Sequence, residues 1–232
     1  MKRVFLLLLV ACGDTGQEHV DLPLTASGTA PRTVMSGMAT VTLTRADVAF
    51  GPLYVCASES GRAELCSVAA GEFLGTVAVR ALDPAPQPLG ELNATTNTIR
   101  SGLFDYGISW LLTETQSRPN PGAIEGHSAI LEGTLTRGAQ SARFRVTLDA
   151  EPRMAGDLAV NGQVTRFALD GPDHALNIGF DPHYWVDNLD ADALFALEAG
   201  SDGVVTIPAD SVLHESVLQG MVSRFPASFQ WR

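Results

Sequence analysis

Lysine is nearly missing from this chain. Lys2 stands alone, and 15 basic residues face 26 acidic ones, for a formal net charge of −11. Phosphate recognition needs clustered Lys and Arg, so nucleic acid is excluded as a partner. A surface so acidic favours solubility, repels anionic headgroups and attracts cations. Long apolar runs are missing too: Val4–Val10 spans seven residues, whereas a membrane-crossing helix takes roughly 20. No Cys-x-x-Cys, His-x-His or His-Glu-x-x-His spacing occurs, which removes the familiar zinc patterns. A repeat of 20 to 50 residues is also lacking, which argues against a propeller or solenoid.

What is present begins at the amino end. Lys2 and Arg3 precede the apolar stretch, and Ala11 supplies a small residue before Cys12, the layout of a signal peptide. Leu9-Val10-Ala11-Cys12 resembles the bacterial lipobox. That resemblance implies a diacylglyceryl group on the Cys12 thiol and cleavage that leaves Cys12 first. One acyl chain binds membranes only marginally, while two or more hold a protein there. Gly13 stands where an aspartate would imply retention at the inner membrane, so the resemblance implies outer-membrane placement.

The expected organisation is a signal peptide at 1–11, the lipidated cysteine and a flexible tether at 12–32, and a single domain at 33–232. The tether assignment rests on polar composition with scattered Gly, Pro, Ser and Thr. Losing Lys2 and Arg3 with the leader leaves 13 basic residues against 26 acidic, a net of about −13. Cys56 and Cys66 remain, and an oxidising envelope lets them pair across a short loop. Metal ligation is the alternative for these thiols, without a second pair to support it.

Period-2 alternation dominates from Met38 to Phe180. TVTLTRADVAF carries Val41, Leu43, Val48 and Phe50; EFLGTVAVRAL carries Phe73, Val77 and Val79; IRSGLFDYGISWLL carries Leu103, Tyr106, Ile108 and Trp110. Ser128 to Ala150 reads as a hairpin around Arg137-Gly138-Ala139-Gln140, and Asn161-Gly162 marks a second hairpin. DPAPQPLG and QSRPNPG read as loops. Only the last quarter turns helical: Asp187–Leu197, with Asp190 and Asp192 in its first turn, then about Ser211 to Arg224, before an alternating Phe225, Phe229 and Trp231. The expected fold is mainly β, an antiparallel β-sandwich, immunoglobulin-like or related, with one or two short C-terminal helices.

DVAFGPLYVCAS, LDPAPQPLGEL and EGHSAILEG resemble uncharacterised predicted lipoproteins of myxobacterial type, over most of the mature chain. That resemblance implies no particular activity. WVDNLDADALFAL and the helix after it are weakly similar to MbnP-type envelope copper-binding proteins, a resemblance that implies copper without matching a ligand motif.

Several residues could carry chemistry. Gly126-His127-Ser128 is similar to a hydrolase nucleophile elbow, with Asp173 and His214 downstream in the proper order, but Ile130 occupies the second glycine position. DNLDADALFALE fails as a calcium loop, since Phe195 and Ser201 fall at its glycine and glutamate positions. His127, with His174 or His183 and Asp173, could form a two-histidine-plus-carboxylate site for copper or zinc. Ordinary loop histidines satisfied by water and backbone are the simpler reading, and a solvated His214 fits the same view. Tyr184 and Trp185, with Tyr106 and Trp110, could line a ligand groove, although alternation favours core packing for Tyr106 and Trp110.

The functional expectation is therefore an envelope lipoprotein acting as a non-enzymatic binding or assembly module. Its partners would be the membrane, through the lipid anchor, and an envelope protein or small ligand. The alternative is a periplasmic copper or zinc binder, and a hydrolase comes last.

Overall fold

The computed structural model describes residues 16–59, 66 and 69–232. The leader and Cys12 lie outside the described residues. The chain is mainly β. In order come β1 (His19–Ser27), β2 (Thr33–Ser36), β3 (Ala39–Phe50), β4 (Leu53–Cys56), β5 (Gly71–Phe73), β6 (Val77–Arg80), β7 (Gln87–Thr95) and β8 (Asn97–Phe104). Then follow β9 (Ile108–Ser109), β10 (Arg118–Pro119), β11 (Ala129–Arg137), β12 (Gln140–Leu148), β13 (Val160–Leu169) and β14 (Leu176–Gly179). α1 (Ala191–Phe195), β15 (Val204–Thr206), α2 (Val212–Gln219) and β16 (Ser228–Trp231) complete the chain.

Two large sheets share one core. The first has eight strands in the order β13-β8-β4-β5-β7-β1-β14-β16. The second runs β15-β12-β11-β3-β2, with β6 beside the far half of β3. Pairing is antiparallel except for β1 with β14 and β12 with β15. Phe50 of β3 meets Phe104 of β8 at 5.2 Å and Phe180 at 5.8 Å between ring centres, joining the sheets through aromatic packing.

β3 shows how the sequence pattern becomes a surface. Leu43 and Val48 differ in parity yet both are buried. The register with β11 passes from Leu43↔Gly133 to Arg45↔Glu132, which leaves Thr44 as an extra residue. This bulge returns Ala46, Val48 and Phe50 to the face that Val41 and Leu43 already occupy. The 129–148 hairpin forms as expected, with Phe144, Val146 and Leu148 inward.

Three expectations need correction. The tether does not extend to residue 32, because β1 lies within the eight-stranded sheet and buries Val20, Leu22, Leu24 and Ala26. Pro23 disguises this strand, and it is accommodated just ahead of Leu24, where pairing with β14 begins. Asn161-Gly162 is no hairpin turn. The partners shift from Val160↔Phe104 to Gln163↔Gly102, and Gly162, at φ +72°, supplies a bulge inside β13. The apolar stretch after Ile99 is not one strand either, since β8 ends at Phe104 and Asp105 leads into a turn before β9.

The eight-stranded sheet curls until its two edge strands meet. Trp231 of β16 stacks on Phe167 of β13, with ring centres 4.7 Å apart, and its Nε1 donates to Thr165 Oγ1 at 2.9 Å. Phe229 lies against Gly102 of β8, where a Cβ would come within 2.6 Å of the ring. Side chains therefore cover edges that backbone bonds do not close.

The helical quarter packs on the same core through Leu194, Leu213, Val217 and Met221. Asp190 caps α1, accepting from the Asp192 and Ala193 N–H groups, which makes this helix shorter than its sequence pattern. Ser211 caps α2 by accepting from the His214 N–H. Tyr106 pins the segment beyond: its hydroxyl donates to Met221 O and accepts from the Ala227 N–H. Cys56 and Cys66 are bridged, with Cα atoms 5.6 Å apart.

Trp231→Ala should cost about 2 kcal/mol, from lost stacking and burial. Trp231→Phe, which keeps the stack and loses the hydrogen bond, should cost about 1 kcal/mol. Urea unfolding measures both, and equal stability of all three chains would show that the edges close without this contact.

Candidate functional site

The histidines proposed as metal ligands are dispersed. His127 Nδ1 pairs with Asp149 at 2.9 Å. His174 sits between Asp170, 2.7 Å from Nε2, and the Arg232 carbonyl, 3.3 Å from Nδ1. The Asp170 hydrogen bond raises the His174 pKa above its ordinary value. Asp173 is exposed. His183 is fully buried and has both ring nitrogens occupied. The Arg32 N–H donates to Nε2 at 3.2 Å, which leaves the hydrogen on Nδ1 for Asp181 Oδ1 at 2.9 Å. Among the described residues, no three His, Cys, Asp or Glu side chains converge on a metal position. The expected union of His127, His174 or His183 with Asp173 is thus not formed, because each histidine has its own local carboxylate.

Ser128 is also buried. Its Oγ accepts from the Ala150 N–H at 2.9 Å, as a strand-end staple and not as an exposed nucleophile. His214 is buried rather than solvated, with Nε2 3.0 Å from the Thr147 carbonyl, so it fastens α2 to β12. The expected aromatic groove dissolves in the same way. Trp185 is 1 % exposed and donates from Nε1 to Phe225 O, and Tyr106 lies in the core. Tyr184 reaches the surface, stacked on Phe225 under the Arg32 guanidinium, while Trp110 is half-buried and lines a separate concavity.

A different concavity holds the more unusual chemistry. Two adjoining cavities of about 290 and 410 Å³ share Pro52, Tyr54, Ser109 and Leu111. β4 brings Tyr54 to the wall. The segment after β9 brings Trp110, Leu111 and Leu112, and the turn before β13 brings Asp157 and Leu158. Leu112 is 81 % exposed and Leu111 57 %, so the rim presents apolar side chains to water.

Beneath the groove lies Asp105, wholly buried. Its Oδ2 receives the Ser109 hydroxyl at 2.6 Å, and its Oδ1 receives the Ala159 N–H at 2.8 Å. Asn120 Nδ2 donates to Ser109 Oγ at 2.8 Å and to Thr76 Oγ1 at 3.2 Å. Burial pushes the Asp105 carboxyl up to about 7, against the opposing pull of the Ser109 and Ala159 hydrogen bonds. Tyr54 is raised as well, by burial first and then by Glu72 and Asp105. A carboxyl poised near neutrality under an apolar groove marks a candidate binding site.

Sequence alternation missed this group because it assigns Asp105, between Phe104 and Tyr106, to a solvent-facing side. The available signal was a lone acid inside the apolar stretch from Leu103 to Leu112. Comparison with family models, with curated proteins and with solved structures finds no match in any of the three.

Asp105→Asn supplies a neutral mimic of the protonated acid. A pKa raised on folding stabilises the chain below the unfolded value, near 4, and that contribution is lost as pH rises to about 7. Wild type and variant should therefore be similar near pH 4, with the variant gaining on wild type between pH 4 and 7 and holding that lead above. At 1.36 kcal/mol per pH unit, the gap should reach on the order of 4 kcal/mol. Urea unfolding at several pH values checks this; a gap independent of pH would mean an ordinary carboxylate.

Proposed function

We propose that this chain is a bacterial envelope lipoprotein, lipidated at Cys12 and held at the outer membrane, whose domain is a non-enzymatic binding module. The anchoring half of this reading rests on the lipobox resemblance and on the likeness to myxobacterial-type predicted lipoproteins. With β1 starting at His19, residues 13–18 separate the domain from Cys12. Six residues reach at most roughly 20 Å, so the module would work close to the membrane. A Cys56–Cys66 bridge accords with an exported chain.

The binding half rests on one observation: an apolar groove with an exposed leucine rim and a hydrogen-bonded floor of Asp105, Ser109 and Asn120. Small-ligand sites combine mostly apolar walls with a few fixed polar groups in this way. Dispersed histidines, each beside its own carboxylate, and a buried Ser128 give the copper, zinc and hydrolase alternatives no comparable support.

A neutral apolar dye such as Nile red tests the groove, using the full chain with Cys12→Ala to prevent lipidation. One saturable site is expected, weakened about fivefold or more by Leu112→Glu, since an ionised side chain resists desolvation at an apolar contact. Unsaturable binding, or affinity untouched by Leu112→Glu, would contradict the groove as the ligand site. Labelled fatty acid incorporated into the wild-type chain, and absent from Cys12→Ala, tests the anchor.

A further inference from the structure

The groove has a sign. Two of its lining residues, Asp105 and Asp157, are acids, and none of the described residues that line it is Lys, Arg or His. Asp157 is half-buried, and among the described residues its carboxylate has no hydrogen-bond donor. Glu72 stands opposite Tyr54 in the β4–β5 pairing and adds negative potential from the next strand. The aromatic surfaces of Tyr54 and Trp110 line the same space.

Resting on the binding-module reading, we infer that the groove takes an organic cation, an ammonium head carrying an apolar tail. The head would lie between Asp157 and Ser109, above the Asp105 carboxyl, with the tail along Leu111 and Leu112. Three features favour this occupant over a fatty acid or a neutral lipid. Carboxylates at the polar end attract a cation and repel an anion, in a setting where Coulomb energies exceed those in water. Aromatic faces hold ammonium groups through their quadrupoles. The net charge of −11 draws cations toward the whole molecule.

A bound cation also favours the ionised form of Asp105, so binding should tighten as pH rises through 7. Among the described residues, the ionisable groups that line the groove with that carboxyl are Tyr54 on β4 and Asp157 before β13, with Glu72 of β5 opposite Tyr54. Near neutral pH none of these supplies a competing positive charge.

Calorimetric titration of the full Cys12→Ala chain with n-octyltrimethylammonium, n-octanol and n-octanoate at pH 8 decides the matter. The ammonium should bind about tenfold tighter than the alcohol, and the carboxylate weakest. Asp105→Asn and Asp157→Asn should each weaken the ammonium about fivefold, while Asp173→Asn, exposed and outside the groove, should change nothing. Alcohol binding as tight as the ammonium would leave the groove reading intact and overturn the cation. Failure of all three probes would overturn both readings. An Asp173→Asn loss equal to that of Asp157→Asn would reduce the effect to net charge and overturn the site.

Discussion

Burial of one carboxyl, at Asp105, organises the region where the two sheets join. Its backbone N–H donates to the Pro52 carbonyl and its own carbonyl accepts from the Gly51 N–H, both at 3.0 Å. This fixes the step from β3 to β4, where the chain passes from one sheet to the other. Its side chain then holds Ser109 after the turn and Ala159 ahead of β13. One hydrogen bond to each oxygen of the buried acid offsets part of its desolvation, and the remainder appears as a carboxyl pushed up to about 7. The groove exists because these segments are tied below it while Leu111 and Leu112 stand above.

Much of the fold was legible. Alternation located β3, β11 and β12, and first-turn acids and apolar periodicity marked the two helices, because these signals are local. β1 was hidden by Pro23 and by a composition suited to a linker; only its partners β7 and β14 supply the burial that makes it a strand. Asn161-Gly162 misled for a related reason. The pair permits a tight turn, but β8 continues alongside and converts the same positive φ into a bulge.

The candidate site was less legible than the fold. Residue types that often carry chemistry, such as His183, Ser128 and Trp185, proved to be fasteners of the core, with their polar atoms consumed by Arg32, Ala150 and Phe225. Asp105 looked like a solvent-facing strand residue, since period-2 reasoning assumes that one face is wet. Here the segments carrying Ser109 and Ala159 cover the second face, a long-range fact that no local pattern encodes.

Titration of the Asp105 carboxyl by carbon NMR, with and without octyltrimethylammonium, tests the central claim directly. A midpoint near 7 in the free chain that falls when the cation is added is the expected result. A midpoint in the ordinary carboxylate range, or one that the cation leaves unmoved, would contradict the assignment of this groove as a cation-binding site.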